Sequence, residues 1–226
     1  MFSTRIFLAL AVALLSGCAT KLLKPELITR DALTQSQGVL IGSFSRNPNA
    51  PPYYSQTVFF KNFDTNEKHE IKSQQEFNIF SGKTKDEFRD GVNIGSTFAL
   101  KLPAGRYVLY NFTLYRPTGV GYTYYSSKTD FAIPFDVHPN SVNYLGELKL
   151  EGASGKNFFG MSVPAGGIWI ISDKQERDVL LLKTALPQLP LESIKSVIPT
   201  KKDIFTPLVV LPTEQTGTTS NDTKKP

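Results

Sequence analysis

Apolar and polar residues alternate along most of the chain between residues 38 and 172, in short runs that glycine and proline separate. The alternation is clearest in the runs 96–102 and 106–115, on either side of the Pro-Ala-Gly sequence at 103–105. A period of two is typical of half-buried β-strands, and a short loop with glycine between two such runs is typical of a β-hairpin. These two runs therefore predict a hairpin.

Counting alternate residues also assigns side chains to the faces of each predicted strand. In the second strand of the hairpin it places Tyr107 and Tyr115 on the same face. In the run 142–150 it predicts one apolar face formed by Val142, Tyr144, Leu148 and Leu150. Further strands are predicted at 39–44, 57–63, 69–72, 76–80, 122–137, 158–163 and 168–172. Residues 83–92, with the acidic Asp86, Glu87 and Asp90, are predicted to be a solvent-exposed excursion.

The periodicity changes near the carboxyl end. Asp173 and Glu176 have the spacing of a capping box, and apolar residues then recur at helical spacing as far as Leu186. Pro187 ends this helix, and the segment 190–198 predicts a second short helix. We expect the first helix to cover the sheet, although its broad apolar run leaves a partner-binding surface as an alternative.

These elements predict a mainly β protein. The fold class is an antiparallel, Ig-like or transthyretin-like β-sandwich of about seven to nine strands with one or two short C-terminal helices. A chain of 226 residues usually holds one domain, and we place it at residues 37–211. Residues 212–226 are rich in threonine, lysine and proline, which predicts a disordered tail.

The amino terminus has a different pattern. Arg5 precedes an apolar run at 6–15, which is well short of the roughly 20 residues that span a bilayer as a helix. Small residues then precede Cys18, the only cysteine of the chain. This arrangement looks like a lipobox and predicts a signal peptide at 1–17, a lipid on Cys18 and a tether over 18–36. An ordinary cleaved signal and an N-terminal anchor helix are the alternatives.

A lipid on Cys18 implies the membrane and the lipoprotein-processing and sorting machinery as partners. In enterobacterial lipoproteins an aspartate after this cysteine favours the inner membrane, so Ala19 predicts the outer membrane of a bacterial envelope. Without Arg5, the mature chain keeps a net charge of about +4. Its charges are interspersed, and no basic stripe indicates a nucleic-acid partner.

Residues that carry catalytic or metal chemistry are sparse. His69 and His138 are the only histidines, they lie far apart, and no G-x-S-x-G sequence occurs. The polar residues Asp64, Glu67, His69 and Glu70 have no recognised metal-site spacing. We therefore predict no catalytic residue, no metal ion and no cofactor.

One aromatic cluster is a candidate ligand-binding surface. Tyr115, Arg116, Tyr122, Tyr124 and Tyr125 surround a glycine-containing loop, a pattern that is typical of glycan- or peptide-binding surfaces, where rings stack on apolar faces. The Pro-Pro-Tyr-Tyr sequence at 51–54 has the same character. Ordinary strand packing, with alternate rings directed outward, is the alternative for both.

Two segments carry a resemblance to a known group. The sequence L-P-A-G-R-Y-V-L at 102–109, and the pair F-D-V at 135–137 and V-N-Y-L-G-E-L at 142–148, resemble elements of bacterial β-sandwich lipoproteins of unknown function. That group is DUF2846-like, or similar to the regulatory domain of carboxypeptidases. The resemblance covers roughly residues 95–150, implies a transthyretin-like or Ig-like sandwich, and brings no catalytic residues.

Together these features predict a non-enzymatic lipoprotein that acts in binding or envelope assembly, with an envelope protein or a glycan as its partner. Two alternatives stay open. One is a hydrolase of envelope glycan or peptide, whose carboxylates meet only in the folded chain. The other is a structural subunit of a secretion or surface complex.

Overall fold

A computed structural model describes residues 36–50, 53–74, 77–78, 83–84, 87–118, 121–156 and 158–212. Cys18, the predicted signal peptide, nearly all of the predicted tether and the tail from residue 213 lie outside the described residues. Most of the strand predicted at 76–80 also lies outside them.

The described residues form fourteen strands and one α-helix. The strands of the first half are β1 (Gln37–Arg46), β2 (Ser55–Asn62), β3 (Lys68–Gln74), β4 (Phe77–Asn78), β5 (Lys83–Thr84), β6 (Phe88–Asp90) and β7 (Asn93–Pro103). Those of the second half are β8 (Gly105–Thr118), β9 (Gly121–Ser126), β10 (Ile133–Val137), β11 (Val142–Lys156), β12 (Ser162–Ser172), β13 (Ile194–Ser196) and β14 (Val209–Val210). The α-helix, α1, is Gln175–Ala185, and a short 3-10 helix is Lys201–Asp203.

Two sheets pack face to face. Sheet A has the order β14-β12-β11-β1-β7-β6, with β13 paired to β11, and sheet B has the order β10-β8-β2-β3, with β9 paired to β8. Strands β4 and β5 pair separately. Trp169 of sheet A lies in the core between sheets A and B, where the centre of its ring is 5.7 Å from that of Phe44 and 6.0 Å from that of Phe112 of sheet B. The mainly β, two-sheet architecture is therefore confirmed.

The prediction of a hairpin at 103–105 is wrong, because the chain crosses from one sheet to the other there. Strand β7 pairs with β1 in sheet A, whereas β8 pairs with β2 and β10 in sheet B. The hydroxyl of Tyr107 donates a 2.8 Å hydrogen bond to the carbonyl oxygen of Pro103 and braces the crossing. Alternation only requires that each strand has a core face, and two strands meet that requirement whether they pair edge to edge or pack face to face.

The prediction of purely antiparallel sheets is also wrong, because sheet A is mixed. Strand β1 runs parallel to β11, β13 runs parallel to β11, and β14 runs parallel to β12. A parallel pair needs a long connection, and the whole of sheet B together with β7 lies between β1 and β11 in the chain.

Two β-bulges change the predicted faces of the two longest strands. On β11 the register steps from Tyr144 opposite Ile41 to Glu147 opposite Ser43, so one extra residue is inserted on that strand. Val142 and Tyr144 consequently face α1, whereas Leu148 and Leu150 face the sandwich core. The predicted single apolar face is therefore wrong.

The second bulge lies on β8. Asn111 pairs with Phe59 and Leu109 pairs with Phe60, which leaves Tyr110 as the extra residue. Tyr107, below the bulge, is buried in the core, whereas Tyr115, above it, lies on the outer face of sheet B. The two tyrosines that simple alternation places together are on opposite faces.

Helix α1 covers the outer face of sheet A, as predicted. Leu182 packs in a second apolar cluster with Val39, Ile41 and Tyr144. Lys174, and not Asp173, is the residue that precedes the first helical turn, and the Asp173 carboxylate accepts a 2.9 Å hydrogen bond from the backbone N–H of Gln175.

The described part of the chain contains no helix that is long and apolar enough to span a membrane.

The prediction of a second helix at 190–198 is wrong. Residues Ile194–Ser196 form β13, which adds to the edge of sheet A beside Val142–Tyr144. Ile194 and Ile198 still pack against the second apolar cluster, so these side chains are buried from an extended segment and not from a helix.

The segment 83–92 is not only an exposed excursion. It contains β6, the edge strand of sheet A, and Phe88 of that strand is buried.

Candidate functional site

The outer face of sheet B carries four clustered tyrosines at the end where β8 and β9 pair. We call Tyr54, Tyr115, Tyr122 and Tyr124 the tyrosine face. Tyr124 lies directly opposite Tyr115 in the strand register, and Tyr122 lies opposite Pro117. Because alternate residues of a strand point to the same side, this register brings the rings of both strands onto one surface.

The rings of the tyrosine face contact one another. Their centroids lie 5.0 Å apart for Tyr115 and Tyr124, 5.2 Å for Tyr122 and Tyr124, and 6.0 Å for Tyr54 and Tyr115. The planes are tilted or perpendicular, as aromatic pairs prefer. Tyr122 and Tyr124 keep 68% and 58% of their surface exposed, so most of the area of these two rings is open to a ligand.

Hydroxyl and ammonium groups continue the same face. The hydroxyls of Thr113 and Ser126, which pair two register positions from Tyr115 and Tyr124, lie 3.0 Å apart in a hydrogen bond. Beyond them, the ring of Tyr110 lies under the ammonium groups of Lys61 and Lys68, at 5.8 and 5.9 Å. The surface therefore combines exposed rings with hydroxyls and ends in two cations.

The five residues predicted as a ligand surface divide between two sides of the sheet. Tyr115, Tyr122 and Tyr124 lie together on the tyrosine face. Tyr125 lies on the opposite side, where its ring contacts Tyr53 at 5.8 Å and its hydroxyl donates to the carbonyl oxygen of Pro164. Arg116 alternates to that side as well, because it is the neighbour of Tyr115 on β8.

Tyr53 is buried on the inner side of this sheet. Burial raises the pKa of the Tyr53 hydroxyl, and the backbone of Gly166 and the charge of Arg116 partly oppose that rise. Tyr54, its neighbour, belongs to the tyrosine face instead. The Pro-Pro-Tyr-Tyr sequence indicated an aromatic surface. The contact of Tyr54 with Tyr115 joins two segments that are distant in sequence, so only the fold shows it.

A network of charged groups joins α1 to sheet A, and sequence reasoning missed it. The Arg177 guanidinium donates to the carboxylates of Asp178 at 2.7 Å, Glu147 at 2.9 Å and Asp90 at 3.1 Å. It also lies 3.9 Å from the ring centre of Phe88. These residues come from α1, β11 and β6, and no spacing in the sequence brings them together.

Each acid of this network is held by donors. Asp178 is fully buried and accepts hydrogen bonds from the Ser43 hydroxyl at 2.7 Å and the Tyr144 hydroxyl at 2.9 Å. Burial raises the pKa of Asp178, and the hydrogen bonds of Ser43 and Arg177 oppose the rise. The Lys174 ammonium, 3.3 Å away, lowers the pKa of Asp90. Asp90 keeps 41% of its side-chain surface exposed, as the prediction of a solvent-exposed patch requires, and it also forms ion pairs with Lys174 and Arg177.

The network borders an open depression of about 610 Å³, lined by Arg89, Asp90 and residues 173–177. Arg177 contributes charge-assisted hydrogen bonds to all three of its acids, which is a strong arrangement for cross-linking a helix to a sheet. These hydrogen bonds tie α1 to β6 and β11 of sheet A. We interpret the network as structural.

No group of three or more metal-ligating side chains lies close enough to hold a metal ion within the described ranges. Asp64 forms a 3.0 Å ion pair with Arg106. The ring of His69 stacks on Phe60 with centroids 5.2 Å apart, and burial lowers the pKa of His69.

No protein-family model matches the chain, and no curated protein matches it in sequence. Some solved structures are similar in part, and two of them are described here. A leucine-rich repeat protein from Bacteroides thetaiotaomicron VPI-5482 is 15% identical, with a TM-score of 0.33, over 52% of this chain and 14% of that chain. A candidate cell adhesion protein from Parabacteroides distasonis ATCC 8503 is 10% identical, with a TM-score of 0.31, over 59% of this chain and 38% of that chain. The chain thus spans less than half the length of either protein.

Proposed function

We propose that this protein is a lipid-anchored, non-enzymatic binding module of the bacterial envelope whose tyrosine face contacts a glycan chain. In this proposal Cys18 carries the lipid, the outer membrane holds the anchor, and the sandwich presents the tyrosines. The observation that carries the proposal is the cluster of Tyr54, Tyr115, Tyr122 and Tyr124 on one exposed sheet surface.

The chemistry of the tyrosine face supports a sugar ligand. A pyranose ring has an apolar C–H face that stacks on an aromatic ring, and it has a rim of hydroxyls that need donors and acceptors. Tyr122 and Tyr124 supply exposed rings, while the phenol groups and the Thr113–Ser126 pair supply hydroxyls that both donate and accept.

The rigidity of the face supports the same function. Tyr115 and Tyr124 lie on paired strands, so a ligand does not have to order their backbone when it binds. Tyrosine also has only two side-chain torsions, which keeps the entropic cost of fixing its ring low. The surface is part of an extended sheet, a shape that suits a linear polymer lying across several rings.

The resemblance to transthyretin-like bacterial lipoproteins remains part of the proposal. Its L-P-A-G element spans Leu102 to Gly105, at the crossing between the two sheets. The bracing hydrogen bond of Tyr107 there gives the element a folding role. A folding role is consistent with the resemblance, which brings no catalytic residues.

Binding of the mature chain to purified envelope polysaccharide and peptidoglycan fragments tests the proposal. We expect the double substitution Tyr122→Ala and Tyr124→Ala to weaken binding at least tenfold, since exposed aromatic anchors dominate such contacts. Phe205→Ala is the matched control, because it removes an exposed ring from another part of the surface.

Equal glycan binding by the double variant and the parent chain would show that the tyrosine face is not the site. A photo-crosslinker at position 124 gives a second readout. Crosslinking to one envelope protein, with no glycan bound, would replace the glycan in this proposal by a protein partner.

A further inference from the structure

A two-stranded β-ribbon projects from sheet A, at the end of the sandwich where sheet B carries the tyrosine face. Strand β1 ends at Arg46, which pairs with Leu150, whereas β11 continues for six more residues to Lys156. Over that length β11 pairs with residues 162–168 of β12. We call residues 151–156 and 162–168 the arm. Six residues of strand extend about 20 Å, so the arm reaches well beyond the neighbouring strand.

Large apolar side chains occupy the tip of the arm. Phe158, Phe159 and Met161 are 97%, 79% and 58% exposed, and the rings of the two phenylalanines contact each other at 5.5 Å. Gly160 adopts a positive φ of 74°, which turns the chain between them. Exposed apolar clusters of this kind mark interaction sites in soluble domains.

The arm is braced against sheet B. A register shift places one extra residue on β12 between Pro164 and Gly167. The Tyr53 hydroxyl donates to the carbonyl oxygen of Gly166 and accepts from its N–H, both at 2.9 Å. The Tyr125 hydroxyl donates to the carbonyl oxygen of Pro164. The tip is therefore presented by a supported hairpin.

The charge of the arm favours one kind of surface for the tip to contact. The arm's one acidic residue, Glu151, lies at its base and forms a 3.1 Å ion pair with Lys149. From Gly152 to Ser172 the sequence has no acidic residue, and its single charged residue is Lys156. Lys156 is exposed and pairs with Ser162 at the base of the tip. An apolar tip next to a cation, without a carboxylate, complements an anionic lipid surface.

The size and shape of the tip favour a bilayer over a folded protein. An aromatic side chain buries about 150–250 Å², so the two phenylalanines and the exposed part of Met161 together bury roughly 500 Å². Each partner of a standard protein interface contributes about 800 Å² and a complementary shape. A convex tip of this size meets neither condition, whereas a bilayer interface accepts any apolar point that reaches it.

We propose that Phe158, Phe159 and Met161 insert into the headgroup–acyl boundary of an anionic lipid bilayer, with Lys156 at the level of the phosphates. The arm is then a membrane contact of the folded domain, separate from the lipid on Cys18. This proposal uses no residue of the tyrosine face, and its outcome is independent of any glycan.

Fluorescence of the mature chain with Phe158→Trp tests the insertion. The only native tryptophan, Trp169, is buried in the core and supplies a constant background. In vesicles of phosphatidylcholine and phosphatidylglycerol, the emission of the introduced tryptophan should shift to shorter wavelength. Phospholipids brominated on their acyl chains should quench it. The readout is the depth of residue 158, so it does not depend on what else holds the chain to the vesicle.

Leu180→Trp is the control, because Leu180 is also exposed but lies on α1, away from the arm. Its emission should stay at long wavelength and escape quenching. Lys156→Glu, combined with Phe158→Trp, should reduce the quenching in anionic vesicles. The proposal is overturned if the tryptophan at 158 is not quenched. It is also overturned if the blue shift appears without vesicles, which would indicate contact with protein.

Discussion

The hydroxyl of Tyr144 donates a 2.9 Å hydrogen bond to Oδ2 of Asp178, and it accepts a 3.0 Å hydrogen bond from the backbone N–H of Lys174. One side chain of β11 thus holds both the first turn of α1 and the residue that precedes it. Burial raises the pKa of Tyr144, so its hydroxyl keeps the proton that this contact requires.

Substitution of Asp178 should show how much this contact contributes. Asp178→Ala removes the acceptor of Ser43, Tyr144 and Arg177 and leaves the guanidinium partly unpaired beneath the helix. We expect the free energy of unfolding to fall by about 3–5 kcal/mol, as it does when one partner of a buried ion pair is removed. Urea unfolding followed by circular dichroism measures the change.

Glu192→Ala supplies the control for that experiment, because Glu192 is an exposed acid. Its loss should change the free energy of unfolding by less than about 0.5 kcal/mol. Equal effects of the two substitutions would contradict the structural role of the network.

His69 should make the stability depend on pH. Burial lowers the pKa of His69 in the fold, so the unfolded chain takes up the proton at a higher pH than the folded chain does. The stabilisation from the neutral ring is complete above the ordinary pKa of about 6.5 and is lost as the pH falls through the lower folded pKa. His69→Phe keeps the stack on Phe60 and should remove this loss. Urea midpoints measured at a series of pH values decide whether the slope persists.

Gly95 should not tolerate a side chain. A Cβ at this position would overlap the carbonyl oxygen of Phe44 and would lie 2.6 Å from Cζ of Phe88. Gly95→Ala should therefore destabilise the fold by about 1–3 kcal/mol, the usual cost of overpacking. Gly155→Ala, where the nearest atom is Cβ of Ala165 at 3.3 Å, should have a much smaller effect. Similar melting temperatures for the two variants would argue against this close approach.

Cys18 should be the site of lipid attachment. Cys18→Ala should abolish incorporation of a labelled fatty acid and leave a precursor that keeps residues 1–17. Thr20→Ala, two residues away, should still incorporate the label. Labelling of the Cys18→Ala chain would show that the anchor lies elsewhere. Gel mobility and mass spectrometry of both variants provide the measurement.

Much of the local structure could be predicted from the residues. The turn after Phe63 joins β2 to β3 as an antiparallel hairpin, with Asn66 at a φ of 59°, because asparagine tolerates the left-handed region. The helix before Pro187 forms where its periodicity places it. These features depend on neighbouring residues, so a single sequence carries them.

The candidate site could be predicted only in part. Tyr122 and Tyr124 alternate within one strand, and their common face follows from the period of two. The position of Tyr115 on that face depends on the bulge at Tyr110, and the position of Tyr54 depends on strand pairing. The charge network around Arg177 joins three segments that are distant in sequence, so no local pattern predicts it.

By itself, the sequence determined most of the strands and turns and the helix before Pro187, because backbone preference and the period of burial are local properties. The segment 190–198 is the exception, since its apolar residues form the strand β13 beside β11 and not the predicted helix. Only the tertiary structure decided which strands share a sheet, where β8 and β11 bulge, and which tyrosines meet. Those choices depend on how two sheets and α1 bury their apolar faces together while every buried acid finds a donor. Such packing is a property of the whole chain, and alternation along one strand is compatible with more than one solution to it.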